Sequence, residues 1–141
     1  MLRKSILAAA LAVGSFSFAS AATINFSATL NAASEVPPKT SAGSGELLAT
    51  LNTATKELSY TVTFDNLSGP ATAAHFHGPA AAGANAGVVV PLGTNPTSPI
   101  HGSKTLTDAQ VTDLEGGKWY VNVHTASTPG GEIRGQVTVK K

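Results

Sequence analysis

Cysteine is absent from this 141-residue chain, methionine occurs only as Met1, and tryptophan only as Trp119. Without cysteine there is no disulfide and no thiolate ligand. Stability must then come from a core or a metal, and any metal must be held by histidine, carboxylate or water. Charge is also scarce: 12% of residues are charged, with nine Lys/Arg against eight Asp/Glu. No basic stripe gathers them, so nucleic-acid binding has no support. The longest apolar run, Ile6 to Phe18, falls short of the roughly 20 residues that span a bilayer. The pattern Gly-x-x-x-x-Gly-Lys-Ser/Thr of a P-loop is missing, and Gly43-Ser44-Gly45 is a lone turn. No Ser-His-Asp set is supported by a nucleophile elbow.

What is present begins with a leader. Arg3 and Lys4 precede the apolar run, and Ala19-Ser20-Ala21 supplies small residues at −3 and −1 of a cut after Ala21. The expectation is a secretory signal peptide over residues 1–21 and a single domain over 22–141, periplasmic or secreted. Losing Arg3 and Lys4 tips the charge balance to the acidic side. No membrane span is expected after cleavage.

The rest reads as short strands. Thr23 to Leu30 alternates apolar and polar, and Glu35-Val36-Pro37-Pro38 stops it. Glu46 to Leu51 and Glu57 to Asp65 are strands joined by the hairpin-sized Asn52 to Lys56. Ala71 to His77, Val88 to Leu92, Lys118 to Thr125 and Glu132 to Lys140 complete the set. Thr107 and Gln110 have capping-box spacing, Val111 and Leu114 follow on one face, and Gly116-Gly117 stops a short helix. Many short strands with Gly/Pro turns predict an all-β, antiparallel β-sandwich with one short helix.

The chemistry lies in four histidines. His75 and His77 stand at i and i+2, so on a strand they share a face, with Phe76 pointing to the core. In Trp119 to Thr125, Trp119, Val121 and Val123 form the natural core face; Tyr120, Asn122 and His124 face outward. The three histidines are therefore expected outside the sheet, where a solute could reach them. His101 falls in or beside a loop and is either a mobile further ligand or a solvated residue. A His-x-His pair also arises by chance, but imidazoles without thiolates suit copper, zinc or nickel, and copper leads the divalent order. Glu132 and Arg134 share a face and read either as a solvated pair or, for Arg134, as part of the site. Asn122 reads as a surface amide or a hydrogen-bond partner of an imidazole. Glu35 reads mainly as a loop residue.

These residues also carry a family resemblance. The segments Leu30 to Pro38, Ala74 to Ala80, Leu106 to Gln110, and Trp119 to Thr125 running on through Pro129 to Gln136 resemble a chordin-type (CHRD) domain. The resemblance implies a compact β-sandwich, secreted or periplasmic. The histidine order is similar to that of copper/zinc superoxide dismutases, which implies a Greek-key sandwich, immunoglobulin-like or superoxide-dismutase-like. By that likeness His75, His77 and His124 would bind copper, His101 would take a bridging position, and Arg134 would guide a small anion, superoxide, to a copper-only site. No histidines remain for a separate zinc, and the stabilising disulfide of that family is missing. The alternatives are a non-catalytic extracellular binding or structural module, or periplasmic copper buffering, although no methionine-rich stretch supports the last. The sequence leaves the oligomeric state open.

Overall fold

The computed structural model describes residues 12–17 and 20–141. Much of the expected leader, including residues 1–11 and 18–19, lies outside the described residues. Among those described, no helix is long and apolar enough to cross a membrane.

Among the described residues nine strands run β1 (Thr23–Asn31), β2 (Ser44–Asn52), β3 (Glu57–Asp65), β4 (Ala71–His77), β5 (Val88–Thr94), β6 (Ile100–Thr105), β7 (Tyr120–Thr125), β8 (Ile133–Gln136) and β9 (Thr138–Val139). Helix α1 (Asp108–Glu115) sits between β6 and β7, and a single 3-10 turn, Ala32–Ser34, follows β1. The fold is all-β and antiparallel with one short helix, as the alternation predicts. The strands form one continuous sheet in the order β5-β4-β7-β8-β1-β2-β3-β6, with β9 pairing β1. This sheet curls round a single core until its end strands, β5 and β6, approach each other. β7 returns beside β4 and not beside β6, the strand it follows, which gives the connection a Greek-key character.

Period-two patterning explains the curl. Leu47, Ala49 and Leu51 of β2 and Phe26, Ala28 and Leu30 of β1 are buried on one face, while Glu46, Leu48 and Thr50 face water. Asn52 starts the β2–β3 turn, its side-chain oxygen accepting from the amides of Ala54 and Thr55. At α1, the Thr107 hydroxyl accepts from the Gln110 amide at 3.2 Å and the Gln110 side chain accepts from the Thr107 amide at 2.9 Å. Leu114 seats the helix in the core.

Two expectations change. Ile100 to Thr105 is a strand, not a loop: β6 pairs with β3 from Glu57↔Thr105 to Val62↔Ile100. At its Gly102 the Tyr60 ring across the ladder fills the space a side chain would need. The last strand is broken at Val137, whose side chain is buried and whose amide donates to Trp119 O.

Candidate metal centre

β4 and β7 are neighbours, with His77 opposite Tyr120, His75 opposite Asn122, and Ala73 opposite His124. Phe76 points to the core and packs against Tyr60 and Trp119. That fixes His75 and His77 on the outer face, beside the outward set of β7. Gly78 follows β4, and the Trp119 indole occupies the place where a Cβ would stand there. The result brings one ring nitrogen from each of His75, His77 and His124 within 4.8 Å of one another.

The outer face is not open to solvent as expected. His77 is 8% exposed, His124 9% and Asn122 3%, while His75 remains half-buried. The 78–87 loop and the 126–131 turn reach over this face. Nδ1 of His77 donates to Ala86 O at 3.0 Å, and Nδ1 of His124 donates to Pro129 O at 2.8 Å, since a carbonyl can only accept. Those bonds turn both Nε2 atoms inward. Nδ1 of His75 lies 3.0 Å from Nε2 of His124. Burial holds the His75 pKa below its usual value, reinforced by charge repulsion from His124 and His77. Burial also lowers that of His77, against the opposing pull of its Ala86 hydrogen bond. Neutral imidazoles carry the free lone pair a metal needs.

Arg134 is 2% exposed. Its guanidinium lies over the Tyr120 ring, 3.4 Å from the centroid, and donates to Asn85 Oδ1 and Ala84 O. His77 stacks on Tyr120 as well, at 4.7 Å and nearly parallel. β4 and β8 flank β7 on opposite sides, so His77, Tyr120 and Arg134 form a three-layer stack. Arg134 thus anchors the loop that carries the Ala86 carbonyl.

The solvated-pair reading of Glu132 and Arg134 is corrected: both are buried and each has its own partners. Burial would raise the Glu132 pKa, but hydrogen bonds from Ser41, Thr125 and Ser68 hold it at about 2. His101 stands apart from the three-histidine group, exposed on β6 and hydrogen-bonded to Thr61.

Sequence reasoning underrated Glu35 and Asn122. Glu35 is buried, with no partner for Oε1 among the described residues, and burial raises its pKa against the opposing pull of Arg134 and Asn122. The only signal was the placing of Asn122 one strand step from His124. The backbone acceptors Ala86 and Pro129 left no signal, because carbonyls have no residue identity.

Residues 26–137 match the family model described as the CHRD domain. No curated protein and no solved structure matches the chain.

Proposed function

The chain belongs to the CHRD domain family, and on that premise we propose that it binds one copper ion through His75 Nδ1, His77 Nε2 and His124 Nε2. The observation that supports this most is the commitment of two opposite ring nitrogens to backbone carbonyls, which aims both Nε2 atoms at one point. Such outer hydrogen bonds set the tautomer and orientation of metal-binding imidazoles. A set with three imidazoles and no thiolate suits copper. The leader at residues 1–21 would carry the protein to the periplasm or outside the cell.

Copper bound there would supply one-electron cycling between Cu(II) and Cu(I), the chemistry of superoxide dismutation. The chain's own part is to hold neutral imidazoles in place and limit access to the side of His75. Arg134 bears on turnover. Its buried guanidinium already donates to Asn85 and Ala84, which favours retention of the ion over guidance of an anion.

One experiment addresses both readings. The metal-free protein is titrated with Cu(II), its EPR spectrum recorded, and superoxide decay measured in the same sample. We expect one equivalent bound with a nitrogen-rich signal, and loss of that binding in His75→Ala and His124→Ala. Unchanged uptake in both variants would remove the histidines from the site. Accelerated superoxide decay would establish turnover; its absence would leave a copper-holding domain.

A further inference from the structure

Asn122 projects from β7 between Tyr120 and His124, opposite His75. Its Oδ1 lies 2.9 Å from His77 Nε2 and 2.9 Å from His124 Nε2. A neutral imidazole carries one ring proton, and in both rings that proton sits on Nδ1, donated to Ala86 O or Pro129 O. Each Nε2 therefore offers a lone pair, and so does the amide oxygen. Three acceptors at these distances cannot hydrogen-bond one another. Their packing is favourable when a cation lies among them.

The spacing fits the same account. Donor atoms about 2.0–2.1 Å from one ion, the usual range for nitrogen and oxygen ligands, are roughly 2.9 Å apart when they subtend a right angle. The amide is also oriented from behind. Its Nδ2 end and the Glu35 carboxylate both crowd the Cα of Gly131, where any Cβ would collide with them. Gly131 has φ +124°, a conformation natural to glycine. Glu35 Oε1 meets no hydrogen-bond partner at full bonding geometry among the described residues, and a carboxylate can only accept, so the NH₂ end is the favoured end on that side and the oxygen stays turned toward the imidazoles.

We propose that Asn122 is a fourth ligand of this centre, its Oδ1 joining three imidazole nitrogens, with Glu35 and Gly131 as the positioning residues that keep the oxygen inward. The proposal rests on the copper-binding reading above. A neutral carbonyl oxygen adds a harder donor without adding charge, which favours the divalent ion over the monovalent one.

The test compares the protein with Asn122→Ala, Asn122→Asp and Glu35→Ala. Cu(II) affinity is measured by competition with a chelator, and water-proton relaxivity of the Cu(II)-loaded samples reports water on the ion. Thermal unfolding without metal establishes that each variant folds; Asn122→Ser replaces the alanine variant if that one does not. Asn122→Ala is expected to bind Cu(II) at least about 10-fold more weakly, since losing even an outer partner of a metal ligand costs roughly 10–100-fold. Its relaxivity should rise, because water takes the vacated position. Asn122→Asp keeps an oxygen there and should restore both values, while Glu35→Ala should shift both in the direction of alanine. Wild-type affinity in Asn122→Ala, or weaker binding at unchanged relaxivity, would overturn the proposal. If the wild-type protein takes up no stoichiometric Cu(II), the copper reading itself fails, an outcome distinct from either.

Discussion

Glu132 shows how one side chain can secure the face that carries the three clustered histidines without hydrogen-bonding to any of them. Its carboxylate collects hydroxyl and amide donors from Ser41, Ser68, Thr125 and Thr128, and so joins the segment before β2, the β3–β4 connection, the end of β7 and the 126–131 turn. That turn carries the Pro129 carbonyl that orients His124. Hydrogen bonds to a charged group contribute roughly 1.5–3 kcal/mol each, and an unmet buried acceptor costs about as much. Glu132→Gln should therefore lower stability by about 2 kcal/mol near neutral pH, measured by urea unfolding. Because the folded pKa is depressed to about 2 from 4.5, this contribution is complete above pH 4.5 and fades as the pH falls through the folded value. The gap between wild type and variant should close across that window. A gap that persists unchanged to pH 2 would show that the charge is not the cause.

Arg134 and the 78–87 loop form a unit at the scale of the element. The guanidinium holds Ala84 and Asn85, Asn85 Nδ2 donates to Val36 O, and Tyr120 bonds Ala86 through its hydroxyl. Lysine lacks the planar fork and stacks less well. Arg134→Lys should speed hydrogen exchange of the Ala86 and Gly78 amides, while the amides of β1 to β3 keep their protection. Uniform loss of protection would refute a local clamp. Patterning made β1 to β4, β7 and the capped helix legible, because their apolar residues alternate or cap cleanly. β6 was hidden because Ile100 is its only apolar residue and Gly102 depends on Tyr60 from another strand. The alternation also placed the three histidines outside the sheet, yet could not show that loops cover them. Which loop lies over which strand is a long-range property, and its contacts here run largely through backbone carbonyls.

For the molecule as a whole, folding and protons are linked, and the proposed metal would join them. His75 and His77 have lowered folded pKa values, so the unfolded chain takes up protons first as the pH falls. Stability should be at its full value above the unfolded pKa of about 6.5 and decline below it until the lowered folded values are passed. Replacing His75 by Gln should flatten that part of the curve in thermal unfolding from pH 8 to pH 4. Copper bound as proposed would act in the opposite sense. At a free concentration 100 times its Kd, a ligand that binds only the folded state adds about 2.7 kcal/mol. The midpoint of unfolding should rise with Cu(II) in the wild type and stay fixed in His124→Ala.

Trp119 is the only tryptophan, and it precedes Tyr120 on β7 with its indole buried on the core side. The histidine cluster lies on the opposite face of the sheet, on β4 and β7. Its emission is therefore a built-in optical gauge that separates two events. A paramagnetic ion behind the strand should dim the light without moving its colour, because the indole stays dry. Unfolding should shift the colour to the red, because the indole meets water.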